Sequence, residues 1–275
     1  MTTHEITWKY ILNQLVKHQN LTDTEVAWAM DQIMTGQTEQ PILASFLTAL
    51  HSKGETPEEL GALAAGMIAK AETVDIDPHA VDIVGTGGDQ QNTVNISTMA
   101  GLVIAGTGAT VVKHGNRAST SKSGSADVIE ALGVNLDLDA DALRRVFDEV
   151  GIAFLFANKM HPSMRFAAPV RRALGFPTAF NVLGPLTNPA RVQACAIGAS
   201  REENARLMAG VYASRGLSAL VFRGANTGLD ELTTTDANQV WIVSGGSVTP
   251  TEFDARESLG MASSSIEDLA GGEAA

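Results

Sequence analysis

Over the first seventy or so residues the apolar positions recur three and four apart, the spacing of one buried helix face. Tyr10, Ile11, Leu15 and Val16 follow that rule and predict a first helix. Thr22 with Glu25 makes a capping-box pattern that opens a second helix, which stops near Gly36. Pro41 suits the first turn of a third, ending near Gly54. Thr56, Pro57 and Glu59 combine an N-cap, a first-turn proline and a capping-box acid, and open a fourth helix towards Ala71.

The pattern changes at 74–78. From Val81 onward, short apolar runs alternate with helical stretches. Strands are predicted at 81–84, 110–113, 152–156, 192–198, 217–222 and 240–244. Helices are predicted to start near Ile96, Gly124, Asp139 and Arg201, the last with Ser200 and Glu203 as a capping box. Alternation of this kind predicts an α/β class fold: a small helical N-terminal domain and a larger domain with a mostly parallel sheet. Right-handed crossovers then put binding sites at the carboxyl ends of the strands. The stretch 161–189 breaks the alternation with five prolines. It is expected to leave the sheet, cross to the helical part and return. The domains expected are a helical one over 1–73, joined by a returning segment near 163–186, and an α/β one over 74–275.

Composition narrows the chemistry. The chain carries 44% hydrophobic and 18% charged residues, ordinary for a soluble globular enzyme. A formal net charge of −12 disfavours nucleic acid and anionic membrane as general partners, since both need a basic footprint. The N-terminal MTTHEITWKYILN lacks the apolar core of a signal peptide, and no stretch is long enough to span a membrane, so the expected location is cytoplasmic. Cys195 is the only cysteine, which excludes an internal disulfide and a cysteine-based zinc site; its apolar run reads as a buried structural thiol.

Two small-residue loops carry the candidate chemistry. Gly85-Thr86-Gly87-Gly88-Asp89 follows a strand and is neither a Walker loop nor the GxGxxG fingerprint. Asn95-Ile96-Ser97-Thr98 stands at a helix start, where side-chain caps and a phosphate cradle use the same geometry. Lys113-His114-Gly115-Asn116-Arg117 puts two cations around a glycine at a strand end, followed by Ser119, Thr120, Ser121, Ser123 and Ser125. Such a set suits phosphate through charge-assisted hydrogen bonds. Asp127 falls in the first turn of the next helix. Asp230-Glu231 is an adjacent carboxylate pair after a strand, a donor set suited to Mg²⁺ shared with substrate phosphates. Arg165, Arg171 and Arg172 lie in the proline-rich stretch, where one Arg could bind a carboxylate bidentately.

Taken together, these residues closely resemble the anthranilate phosphoribosyltransferase family. The matching elements are GTGGD at 85–89, NIST at 95–98, KHGNR at 113–117, GSAD at 124–127, HPSMR at 161–165, PVRRALG at 169–175, FNVLGPLTNPA at 180–190 and LDEL at 229–232. They run in family order over nearly the whole chain. Departures are Phe176-Pro177, where the family often has a basic residue, and Ala118 and Thr120 in a loop usually written with Ser and Val. The family pattern also continues beyond Ala275.

The resemblance implies a nucleoside phosphorylase/phosphoribosyltransferase-like fold with the active site at the hinge between the domains, and a homodimer formed through the helical domain. It implies transfer of phosphoribosyl from 5-phosphoribosyl 1-diphosphate to anthranilate, with Mg²⁺, two ions per subunit. By position, Gly85, Gly88, Asp89, Thr93, Asn95, Ile96, Ser97 and Thr98 would surround the phosphoribosyl diphosphate. Lys113, His114, Gly115, Asn116, Arg117, Ala118, Ser119, Thr120, Ser121 and Ser125 would complete that wall. Ser97, Asp230 and Glu231 would contact the metal. Gly85, Asn116 and Arg171 would hold anthranilate, with His114 and His161 nearby. Catalysis would rest on positioning and electrostatics, with no acid–base dyad. A nucleoside phosphorylase and a polyanion-binding paralogue are the competing readings; NIST and KHGNR favour the phosphoribosyl donor over the first, and the acidic charge disfavours the second.

Overall fold

A computed structural model describes residues 5–118 and 122–274. In chain order, the first helices are α1 Trp8–Val16, α2 Asp23–Met34, α3 Gln40–Lys53 and α4 Pro57–Ile68. Then come β1 Val81–Gly85, α5 Ile96–Gly106, β2 Val111–Gly115, α6 Ser125–Ala131, α7 Ala140–Val150, β3 Ile152–Phe156, α8 Ala157–Met160 and α9 Ala168–Leu174. The last are β4 Ala194–Gly198, α10 Glu202–Ser214, β5 Ser218–Gly224, β6 Asn238–Ser244, β7 Ser247–Phe253 and α11 Ala255–Leu259.

The chain divides into two compact units. The first joins residues 1–71 to 161–187, and the second joins 72–160 to 188–275. In the first unit, Ile11, Leu15, Met30, Ile33, Leu43, Phe46, Leu47, Leu50, Leu60 and Leu63 form a core almost without exposure. Both predicted capping boxes are present: Thr22 with Glu25 opens α2, and Thr56 with Glu59 opens α4. Each box satisfies helix N–H groups that have no partner inside the helix. Val16, expected on the buried face of α1, is 71% exposed; Ile11 and Leu15 are the fully buried residues of that helix.

Glu59 does more than cap. Its carboxylate accepts the Leu21 N–H at 2.8 Å and the Thr56 N–H at 3.0 Å, and pairs with Lys53 Nζ at 2.7 Å, the two side chains being 0% and 3% exposed.

The second unit is built on a seven-stranded sheet in the order β3-β2-β1-β4-β5-β6-β7. The first five strands of that order pair in parallel; β6 and β7 add antiparallel to β5 and to each other. β7 has no counterpart in the apolar pattern, because Val248 and Phe253 are its only large apolar residues, Pro250 interrupts it, and all but Phe253 are exposed. The two-residue turn Gly245-Gly246, both with positive φ, creates it as a hairpin partner of β6. Ser200 does not cap α10. The N-cap is Arg201 without a side-chain bond, since the Ser200 hydroxyl donates to the Gly87 carbonyl at 3.2 Å.

Candidate active site

β1 and β4 lie side by side with Gly85 level with Gly198. The chain proceeds from β1 towards one edge of the sheet and from β4 towards the other, so strand order reverses here. In open α/β sheets such a reversal leaves a crevice at the strand carboxyl ends, where ligands bind.

The turn after β5 closes over this crevice. Gly224 N–H donates to the Leu229 carbonyl at 2.9 Å, and Leu229 is fully buried. Asp230 thereby comes down directly on the two strand ends. A Cβ on Gly198 would stand 1.5 Å from the Asp230 carbonyl oxygen, and one on Gly85 would stand 2.6 Å from Asp230 Oδ2. Gly87 N–H donates to the same Oδ2 at 2.6 Å. The glycines are therefore needed for close approach of backbone to carboxylate.

Three carboxylates share this place. Burial pushes Asp230 up to about 6, with the nearby Asp89 adding to the shift and the Gly87 N–H opposing it. Glu231 is pushed up to about 8, first by burial, then by Asp230; Lys113 and the Ser97 N–H, which donates to its carboxylate, pull the other way. Asp89 Oδ2 is buried without a donor. Among the described residues, no three His, Cys, Asp or Glu side chains converge to hold a metal unaided. Asp230 and Glu231, held above their ordinary pKa, and Asp89, with its orphaned oxygen, fit a hard divalent cation that takes its remaining ligands from water and substrate phosphates. The donor set present thus fits Mg²⁺.

Of the expected phosphoribosyl-diphosphate residues, Gly88 is exposed in the loop after β1, and Thr93 forms an antiparallel bridge to Ala270. Asn95 is the N-cap of α5 by position, but its side chain does not cap: Nδ2 donates to the Ser123 carbonyl at 3.3 Å. Thr98 is buried, with Oγ1 lacking a hydrogen-bond partner. Lys113, expected at the end of the strand 110–113, lies within β2, 4% exposed. Its Nζ donates to the Ile83 carbonyl and to Ser97 Oγ, the latter at 3.1 Å. Burial lowers its pKa against the attraction of Asp82 and Glu231. Arg117 is engaged by Asp127 at 2.9 Å and Glu130 at 2.7 Å, so its guanidinium has carboxylate partners before any ligand arrives. Ser125 Oγ donates to the Asn116 carbonyl, Asn116 is exposed, and Ala118 N–H donates to Asp127. Ser119, Thr120 and Ser121 lie outside the described residues.

His114 is buried in β2. His161 and Arg171 belong to the helical unit. His161 Nε2 donates to the Thr187 carbonyl at 3.0 Å, and burial pushes its pKa down to about 4. Arg171, on α9, is half-buried; its Nε has no hydrogen-bond partner, and burial lowers its pKa. Sequence reasoning missed Asp82, a fully buried acid that burial pushes up to about 6 against Lys113, Asn188 and two backbone N–H groups. An acid in the middle of an otherwise apolar strand was the available signal.

Comparison with known proteins gives the frame for these residues. The helical bundle domain of the glycosyl transferase family matches residues 9–71, and the a/b domain of the same family matches residues 77–275. An anthranilate phosphoribosyltransferase of Arthrobacter sp. strain FB24 is 55% identical over 268 residues, 98% of this chain and 76% of that protein. The chain belongs to the anthranilate phosphoribosyltransferase family. A second relative with that name, from Nocardia farcinica, is 52% identical over 96% of this chain and 76% of its own length. The crystal structure of the Thermus thermophilus family member superposes with a TM-score of 0.89 at 38% identity, covering 96% of this chain and 78% of that one. The Saccharomyces cerevisiae member, solved in complex with PRPP and Mg, superposes with a TM-score of 0.88 at 29% identity, over 98% and 78%. The family thus has the helical bundle and the mostly parallel sheet seen in this chain.

Proposed function

We propose that this chain transfers the phosphoribosyl group of 5-phosphoribosyl 1-diphosphate to the amine of anthranilate. The products are N-(5-phosphoribosyl)anthranilate and diphosphate, and the reaction is the second step of tryptophan biosynthesis from chorismate. The observation that carries this reading is Asp230 lying on the ends of β1 and β4 with the Asp89 and Glu231 carboxyls beside it, in a member of this family. Relatives solved with PRPP and Mg, and with 4-fluoroanthranilate, support the substrate pair.

Asp230 and Glu231, with Ser97, would hold Mg²⁺, two ions per subunit. When bound, Mg²⁺ neutralises the charge that builds on the departing diphosphate. The chain's own residues do the rest. The loops after β1 and β2, residues 85–98 and 113–125, would enclose the phosphoribosyl diphosphate. Arg171 would take the anthranilate carboxylate, with Gly85, Asn116, His114 and His161 lining the remainder. The amine of anthranilate is neutral near pH 7, so attack at C1 needs no strong base: the C–N bond forms as the C1–O bond breaks, its electron pair leaves with diphosphate, and the amine proton passes to solvent. Catalysis is then positioning plus electrostatics. Among the described residues no helix is long and apolar enough to cross a membrane. A cytoplasmic homodimer formed through the helical unit is the assembly we propose.

Anthranilate fluorescence followed with phosphoribosyl diphosphate, Mg²⁺ and this 275-residue chain tests the reading directly. Loss of signal that needs all three and stops on chelation is the expected result. A chain that melts cooperatively yet leaves anthranilate untouched would refute it.

A further inference from the structure

The β1–β2 ladder opens immediately below the two substrate loops. β1 and β4 stay in register over five pairs, and so do β2 and β3, but β1 and β2 register only Val81 against Val111. Val81 N–H donates to the Thr110 carbonyl. A regular parallel ladder continuing from there would bring Ile83 N–H to the Val112 carbonyl and His114 N–H to the Ile83 carbonyl. Side chains take all four groups instead. Asp82 Oδ1 accepts His114 N–H at 3.1 Å, and the same carboxylate accepts Ile83 N–H. Lys113 Nζ donates to the Ile83 carbonyl. Asn188 Nδ2 donates both to the Val112 carbonyl at 2.9 Å and to Asp82 Oδ2 at 2.9 Å. Asn188 Oδ1 is fixed in turn by Ala190 N–H at 2.9 Å.

Polar side chains rarely replace a buried ladder, because backbone pairing satisfies the same groups without desolvating charges. Here the replacement is complete. It lies between the strands that carry the loops starting at Gly85 and Gly115, and residues 82, 113 and 188 are each at most 5% exposed.

We infer that Asp82, braced by Asn188, is a positioning residue: a polar wedge that holds β1 and β2 apart and so sets the spacing of the two loops that enclose the phosphoribosyl diphosphate. Asp82 touches no reacting atom. The identity of the ligand rests on the function proposed above; the wedge itself does not.

Three variants test it: Asp82→Asn, Asn188→Ser and the exchange Asp82→Asn with Asn188→Asp. Asp82→Asn sets an amide donor against the Asn188 donor. Asn188→Ser shortens the brace and is the milder change, so it serves if Asp82→Asn folds poorly. The exchange restores a donor–acceptor pair between the two positions. Hydrogen exchange of peptides spanning 83–95 and 112–118 reads the wedge without substrate. Protection should fall in both peptides together in each single variant, and recover in part in the exchange. Steady-state kinetics should show the KM for phosphoribosyl diphosphate raised by about tenfold or more, with the anthranilate KM and kcat moved far less. A role confined to stability would lower Tm and leave both KM values alone, and that outcome overturns the inference. So does unchanged exchange in folded variants. Altered exchange in a protein whose wild type consumes no anthranilate would sink the proposed function and leave the wedge standing.

Discussion

Arg171 is a half-buried guanidinium whose Nε has no hydrogen-bond partner and whose pKa burial depresses. A buried cation in that state is stabilised by a bidentate carboxylate, which anthranilate would supply. Arg171→Ala should raise the anthranilate KM by about a hundredfold, as a lost charge-assisted pair of roughly 3 kcal/mol predicts, and change the phosphoribosyl-diphosphate KM little. Equal effects on both constants in initial-rate measurements would show the role misassigned. Gly198 decides a different matter. A methyl group there would meet the Asp230 backbone at 1.5 Å, so Gly198→Ala must push the 229–231 turn off the strand ends. We expect Mg²⁺-dependent turnover to collapse in Gly198→Ala, as in Asp230→Ala with Glu231→Ala, and titration of rate against Mg²⁺ checks both. Neither effect was legible from composition alone. The glycine in the run Ala196-Ile197-Gly198-Ala199 reads as one more small residue until the turn from β5 is laid over it.

At the scale of elements, helix starts were the most legible feature, because a cap is a local agreement between residues three apart. Thr22 with Glu25 and Thr56 with Glu59 behave as their spacing predicts. Ser200 with Glu203 has the same spacing and does not, since the Gly87 carbonyl and the Thr86 hydroxyl claim Ser200 from across the sheet. Local pattern proposes a cap; a long-range partner can override it. The helical unit also contains a fastening no spacing rule foresees. Glu59 ties the N-terminus of α4 to Leu21 before α2 and to Lys53 at the end of α3. Glu59→Ala would leave the Leu21 and Thr56 N–H groups without this acceptor and the Lys53 ammonium without its counter-charge, with only Asn20 Oδ1 and the Gly54 carbonyl to accept from it. Breaking a buried pair in that way costs about 3–5 kcal/mol. Urea unfolding should register that loss, whereas Glu58→Ala, its exposed neighbour in α4, should cost less than about 0.5 kcal/mol.

At the scale of the whole molecule, His161 favours unfolding in acid, and the raised carboxyls of Asp82, Asp230 and Glu231 oppose it, since they favour the fold as the pH falls. His161 has a folded pKa of about 4, below the unfolded value of 6.5, so between those two pH values the unfolded chain binds more protons at this residue. Its contribution to stability is therefore complete above pH 6.5, falls as the pH drops, and is lost by about pH 4, by up to about 3 kcal/mol at 1.36 kcal/mol per pKa unit. His161→Gln keeps a donor for the Thr187 carbonyl and removes the titration. Denaturation at pH 7 and pH 4.5 should show a smaller difference for the variant than for the wild type. Ligand linkage works in the other direction. Phosphoribosyl diphosphate with Mg²⁺ at a hundredfold excess over Kd should add about 2.7 kcal/mol and raise Tm, and the rise should vanish when Mg²⁺ is chelated.

What the sequence by itself determined is whatever depends on neighbours along the chain. Four helices before the sheet, the strand–helix alternation after Val81, the Gly-rich loops at strand ends and the Asp230-Glu231 pair all follow from periodicity, caps and residue type. The tertiary structure alone decided which of those groups meet. It put Asp230 on the ends of β1 and β4, turned the Lys113 ammonium onto the Ile83 carbonyl, paired Arg117 with Asp127 and Glu130, and filled the gap between β1 and β2 with Asp82 and Asn188. Asp82 and Asn188 are 106 residues apart in the chain. A contact at that separation leaves no period in the sequence; it exists only because sheet order brings β1, β2 and the approach to β4 together, where buried polar groups must find partners.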